Sequence, residues 1–306
     1  MAGAEGCNLT VASRYPPGLA LEDRVSEPAA PPPRRRRLPF DPWHLVLAPT
    51  AVLFALPFIW MLLASFMSNV QINRFPPTII PSSLHVEGWH TVLVTAQFPQ
   101  WFVNSTIVAV VTVISNLVFC SMAGYAFARL RFRGSTLLFL LILATLIIPF
   151  QITVIPTFIV MQKLHLTDTL GALIVPNLAT PLGVFLMRQF FVNLPIDVEE
   201  AARIDGCSRL GVLLHVALPL ARPALATLAA ITFLLSWNDL LWPLIAINSD
   251  STFTLPLGLT TFQGAHTTNW SAVMAGNVLT AAPVILAFLL AQRTFIASLT
   301  SSAVKG

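Results

Sequence analysis

The chain has 306 residues, of which 56% are hydrophobic and only 10% charged, with a formal net charge of +4. A water-soluble domain of this size needs roughly a quarter of its residues charged, so lipid must solvate most of the chain. That excludes a cytosolic enzyme or a nucleic-acid-binding domain and leaves the classes of membrane protein.

Residues 1–40 are rich in Pro, Ala and charge, with Pro31 to Pro33 running into Arg34 to Arg37, and carry no apolar period long enough to bury. They are expected to form a disordered cytoplasmic tail. The four arginines either hold that terminus inside or bind anionic lipid headgroups. From residue 41 the sequence reads as one six-helix domain to residue 306. A bilayer core about 30 Å thick takes about 20 apolar residues as helix. Six stretches qualify, at 45–66, 104–128, 137–160, 170–192, 219–245 and 272–292.

Six crossings put both ends on one side. Of seventeen basic residues, all but Arg74 and Lys163 fall on the side that holds both termini. The positive-inside rule therefore places both termini in the cytoplasm. Cys7, Cys120 and Cys207 sit in the tail, a span and a cytoplasmic loop, so no pair is positioned for an extracellular disulfide. Cys207 with His215 is too small a set to fill a metal's coordination shell, and no metal site is expected.

Between the first two spans, residues 67–103 carry Pro76, Pro77 and Pro81, which forbid one continuous helix, and the aromatics Trp89, Phe98 and Trp101. The two tryptophans suit headgroup anchoring or contact with an external partner. Span two has a small and polar stripe, Ser105, Thr112, Asn116 and Ala123, fit for helix packing or a water-lined path. Pro149 and Pro156 interrupt span three, and Pro176 and Pro181 interrupt span four. Span five ends in Ser236-Trp-Asn-Asp-Leu-Leu-Trp242-Pro243, where Asp239 is the one carboxylate inside a span. Such a group must face a cavity, a partner or the interface. Asn116, Asn177, Asn238, Asp239 and Asn277 are the candidates for a substrate pathway.

The loop at 193–218, between spans four and five, is a polar, helix-forming island. Pro195 opens a helix whose first turn is acidic (Asp197, Glu199, Glu200), in keeping with the helix dipole. Gly206 stops it, and Ser208 caps a second helix running towards Pro219. Glu199 and Arg203 stand at i,i+4, where they can pair. Ala201 and Ala202 leave a shallow surface and Glu200 offers a charge.

Glu200-Ala-Ala202, three residues, Gly206, nine residues, then Val216, a spacer and Leu218-Pro219 resemble the coupling loop of permease subunits in bacterial ABC importers. Trp237-Asn238-Asp239, the six-span layout and the ending Gln292-Arg-Thr-Phe-Ile296 through Leu299-Thr300 to Ala303-Val-Lys-Gly306 resemble the carbohydrate-importer permeases of the maltose-permease type. That family has glycines where this chain has Ser298 and Ser302. The resemblance covers roughly residues 41–306. It implies an all-α, polytopic, type I ABC importer permease fold in the bacterial inner membrane, with a cytoplasmic helix-turn-helix coupling loop. It also implies a second permease subunit, two ATPase subunits and an external solute-binding protein. Glu199, Glu200, Ala201, Ala202, Asp205, Gly206, Val216, Leu218 and Pro219 are the residues expected to couple to the ATPase.

No catalytic residue is expected in this chain. Neither Lys163 nor Lys305 lies in a Gly-x-x-x-x-Gly-Lys-Ser/Thr context, so ATP and Mg belong to the partner ATPase subunits. The substrate expected from the resemblance is a sugar, an oligosaccharide or a polyol, with glycerol phosphodiesters as the alternative. An ion-coupled carrier would need buried carboxylates beyond Asp239, and a passive scaffold would tolerate Asn116→Leu.

Overall fold

The computed structural model of the chain describes residues 43–76, 78–264 and 267–303. The expected tail and its four arginines lie outside them. The chain forms two compact units, Met1–Ile59 and Trp60–Gly306, and the boundary falls within the first helix, α1 (His44–Ala64).

Regular structure among the described residues is helical. After α1 come α2 (Phe98–Arg129), α3 (Ser135–Thr145), α4 (Phe150–Lys163), α5 (Pro181–Val192), α6 (Ile196–Ile204), α7 (Arg222–Trp237) and α8 (Trp270–Ala303). Four segments are long and apolar enough to cross a membrane alone: His44–Ala64, Phe98–Arg129, Leu170–Val192 and Trp270–Leu289. Two bent pairs qualify when each is taken as one span. They are Ser135–Thr145 with Phe150–Lys163, bent by 105°, and Arg209–Leu220 with Arg222–Trp237, bent by 79°. Five of these segments lie on stretches expected from hydropathy, and the sixth, the bent pair ending at Trp237, overlaps the expected 219–245 only in part.

The long helix α2 organises the second unit, packing chiefly against α5 and α7. Its outer face is aliphatic and exposed (Val103, Ile107, Val110, Ile114, Val118, Met122), whereas Asn104, Ser105, Thr112, Ser115 and Asn116 are buried. This inverts the pattern of a water-soluble helix, because a lipid-facing surface must be apolar while polar groups find partners between helices. The stripe read from the sequence is therefore the packing face. Gly124 allows the closest approach: a Cβ there would stand 2.7 Å from Met187 Cβ and 2.8 Å from Arg188 N on α5.

Each helix break has a local cause. Pro149 sits immediately before α4, so the chain turns there, while Pro156 lies inside α4 without ending it. Span four is broken by a 3-10 turn at Val175–Asn177, which holds Pro176, and α5 restarts at Pro181 with Thr180 Oγ1 accepting from Gly183 N at 3.2 Å. Asn116 repairs that break. Its Nδ2 donates to the Asn177 carbonyl at 2.7 Å, and its Oδ1 accepts from Thr180 N at 3.1 Å and Thr180 Oγ1 at 2.8 Å. The backbone groups freed by proline are thus satisfied from a neighbouring helix, as a membrane interior demands.

Span five departs from its expected limits of 219–245. Helix α7 stops at Trp237, and a separate short helix, Leu241–Ala246, follows the break at Asn238–Leu240. Pro243 stands in the opening turn of that short helix, where its missing N–H costs no intrahelical hydrogen bond. The flanking indoles pin the break. Trp237 Nε1 donates to the Thr280 carbonyl on α8 at 3.1 Å, and Trp242 Nε1 to the Ala172 carbonyl at 2.9 Å.

At the Phe98 end of α2 the chain between spans five and six folds over the helix. Trp101 Nε1 donates to the Asp250 carbonyl, Asn104 Nδ2 to the carbonyls of Ser251 and Phe253, and Leu255 N to Ser105 Oγ. Trp101 is consequently buried, which corrects its expected place at the headgroups or on an external partner. Trp89 is half-buried and stacks on Phe66 at 5.5 Å.

Candidate functional site

Two features carry the chemistry, a polar loop at the Arg129 end of α2 and a cavity between the helices. The loop folds as its residues dictate. Pro195 takes the N-cap position of α6, one residue before the helix rather than within it, and Asp197 and Glu199 fall in the first turn. Gly206 ends the turn at φ +88, a left-handed conformation that glycine adopts freely. Ser208 Oγ accepts from Gly211 N at 3.1 Å and caps Arg209–Val212, which continues through Leu213–Ala217 to Leu218–Leu220.

The nine-residue α6 has two unlike faces. Ala202 is buried in a cluster with Val212, Leu213, Ala217, Phe191 and Met187, against which Val216 and Leu218 also pack. Glu199 is buried too. Glu200, Ala201, Asp205, Gly206 and Pro219 are exposed, and Ile204 is 87% exposed. An aliphatic knob beside two carboxylates, on a loop fixed to the bundle by its other face, is suited to seating in a partner's groove.

Glu199 does not pair with Arg203, as the i,i+4 spacing allowed. Arg129 Nε donates to its Oε1 at 2.7 Å and the Tyr125 hydroxyl to its Oε2 at 3.1 Å. Arg129 Nη2 also donates to the Leu194 carbonyl at 2.6 Å. The coupling role expected for Glu199 thus cannot be direct contact with another subunit, because its carboxylate points into this one. Local spacing favoured Arg203. Packing of α6 on α2 supplied a guanidinium at a more enclosed site, where two planar donors serve a carboxylate and a carbonyl together.

The cavity measures about 350 Å³, at the low end of small-molecule pockets. Thr112, Asn177, Thr180, Thr232, Ser236, Asp239 and Thr254 line it, with Phe150 and aliphatic side chains completing the wall. Of these lining residues, Thr112 and Thr254 have hydroxyls that are buried without a hydrogen-bond partner among the described residues. Asp239 Oδ1 accepts from Trp242 N at 3.4 Å. No lysine, arginine or histidine lines this space.

Of the five pathway candidates, the fold brings Asn177 and Asp239 together at this cavity. Asn116 is fully buried and occupied with the break in span four. Asn238 is exposed and donates to the Leu234 carbonyl of its own helix at 2.8 Å. Asn277, half-buried on α8, is not among the lining residues. Sequence reasoning missed Thr254 and Tyr125, and it saw Arg129 only as a topology charge. Nothing within a few residues of any of them marks it out. The exposure of Ile204 was legible in principle, as an aliphatic residue on the polar face of α6.

Residues 117–300 match the family described as binding-protein-dependent transport system inner membrane component. The chain belongs to this family. It is a multi-pass permease subunit of an ATP-driven, binding-protein-dependent ABC importer. The permease is 38% identical over 278 residues to the arabinooligosaccharides transport system permease protein AraQ of Halalkalibacterium halodurans, covering 89% of this chain and all of that one. It is 33% identical to the trehalose/maltose transport system permease protein MalG of Thermococcus litoralis, over 84% of this chain and 93% of that one. A solved bacterial ABC transporter involved in import of the acidic polysaccharide alginate contains a chain of the same fold. The TM-score is 0.72 and identity 25%, covering 81% of the permease and 93% of that chain.

Proposed function

We propose that the permease carries a neutral oligosaccharide or related polyol, forming the translocation path with a second, unlike permease subunit by alternating access. The observation that carries the substrate class is the cavity lining. Hydroxyls, an amide and one carboxylate suit the hydroxyls of a saccharide, the Phe150 ring suits its apolar face, and no cation waits for a phosphate. The arabinooligosaccharide and trehalose/maltose relatives support the same class. Asn177 and Asp239 are the pathway residues of this proposal, with Thr112 and Thr254 joining them.

Energy enters at the coupling loop. Two ATPase subunits, which hold ATP and Mg, grip the exposed face of α6 through Glu200, Ala201, Ile204, Asp205 and Gly206. Ala202, Val216 and Leu218 fix the loop to the bundle behind it, and Pro219 stands at the bend into α7. Closure of the ATPase pair then moves the loop at 193–218 as a lever, and an external binding protein delivers the substrate. The bias of basic residues puts this loop and both termini in the cytoplasm of a bacterial cell. Residues 41–306 make up the permease domain and 1–40 its tail.

The test is the importer purified with its own partner subunits. Glu200→Arg is expected to lose the ATPase subunits on co-purification and to abolish ATP-driven uptake; unchanged assembly and uptake would refute the docking surface. Mass spectrometry of the small molecule held by the co-purified binding protein is expected to find a neutral saccharide or polyol. A glycerol phosphodiester would overturn the substrate class.

A further inference from the structure

We propose that Arg129, Tyr125 and Glu199 form the charged linkage that carries displacement of the coupling loop into α2, making them positioning residues for transport. The inference rests on the coupling-loop assignment above. Among the described residues, Ala202 packs α6 on the bundle through apolar contacts with Val212, Leu213 and their neighbours. Such contacts resist separation but are non-directional, so they permit sliding. The polar contacts are directional and come from Arg129 and Tyr125, both on α2.

Arg129 ends α2 and grips the loop at two points, the Leu194 carbonyl and the Glu199 carboxylate. These points lie on either side of Pro195, where the chain turns into α6. Held across that corner, α6 cannot pivot about Pro195 without drawing the end of α2 with it. Tyr125, one helical turn earlier, donates to the second carboxylate oxygen, and its ring meets Phe191 of α5 edge-on at 5.5 Å. One cluster therefore joins α2, α5 and α6. The side chains of Arg129 and Glu199 are only 14% and 9% exposed, so solvent and salt screen the pair weakly. Farther along α2, Thr112 and Val108 line the cavity, so movement of this helix reaches the transport path directly.

The experiment uses the assembled importer with Thr112→Cys added to the permease. Reaction of residue 112 with a maleimide is measured with and without ATP, Mg and orthovanadate, and is read by peptide mass spectrometry so that native cysteines do not interfere. In the otherwise unaltered complex, trapping the nucleotide state is expected to change reactivity at residue 112 by at least about fivefold. Arg129→Ala is expected to keep the ATPase subunits bound and to lose that change. A change of full size in the variant overturns the linkage. Should Arg129→Ala fail to assemble, Arg129→Lys carries the test, since lysine keeps the charge but cannot span the carboxylate and the carbonyl together. Loss of the response in the assembled lysine variant supports the linkage, and retention overturns it. Absence of ATPase subunits from the unaltered complex is a different result, which refutes the coupling-loop assignment itself.

Discussion

At its Phe98 end α2 is held by neutral hydrogen bonds, from Trp101 and Asn104 to the carbonyls of Asp250, Ser251 and Phe253, and from Leu255 N to Ser105. At its Arg129 end the same helix is held by an ion pair with Glu199, supported by Tyr125. Neutral hydrogen bonds weaken steeply with distance and misalignment, so they make a static clamp. Coulomb attraction falls only as the inverse of distance and is strengthened by low polarity, so an ion pair keeps pulling while its geometry changes. The static clamp fastens a loop to the helix, and the longer-range contact sits at the loop proposed as the lever.

Three measurements would break or sharpen that contrast. The largest effect is expected from Glu199→Ala, which leaves the Arg129 guanidinium enclosed without its carboxylate. Loss of one partner from a buried pair costs about 3–5 kcal/mol. The purified permease complex should therefore melt at a clearly lower temperature, and an unchanged melting curve would show that the pair contributes little. Asn104→Ala comes next, because it leaves the Ser251 and Phe253 carbonyls short of a donor at a cost of about 1–3 kcal/mol. Hydrogen exchange across 250–255 should quicken while exchange in α6 stays the same; a change in both would join the two ends that the contrast separates.

The smallest effect belongs to Asp168, which ties the link between α4 and span four to the chain after the break in span five. Its Oδ1 accepts from Asn248 N and Ser249 N at 2.8 Å, and its Oδ2 from the Ser249 hydroxyl. Those hydrogen bonds, the Ser249 hydroxyl first, hold its carboxyl below the ordinary value of 3.8. A lowered folded value means that its stabilisation is complete above the ordinary value and is lost as pH falls through the folded one. Asp168→Asn should thus lower stability slightly at pH 7 and flatten the acid limb below about pH 4. Asp168 is partly exposed, so solvent keeps the effect small. An acid limb identical in the two proteins would remove Asp168 from the account.

Much of the coupling loop was legible because its determinants are local. Acidic residues in the first turn of α6, glycine at positive φ and a serine cap act within one turn of backbone and stand where the spacing put them, while Pro195 falls one residue outside the helix it was expected to open. The end of span five was less legible. Hydropathy runs on through Leu240 and Trp242, and only the restriction that Pro243 imposes, together with indoles bonded to span four and α8, marks where the helix stops. Trp101 looked like a surface aromatic because no short-range pattern reveals a loop that returns 149 residues later to cover it.

From the sequence alone came the solvent, the apolar segments and the turn of the polar loop, since transfer free energy and backbone restriction depend on residues close together along the chain. Tertiary structure decided that Glu199 faces Arg129 rather than Arg203 or another subunit, that Asn116 mends a break, and that Asn177, Asp239 and Thr254 meet at one cavity. Those partners lie 15 to 77 residues apart in the sequence, and the packing of α2 against α5 and α7 brings them together.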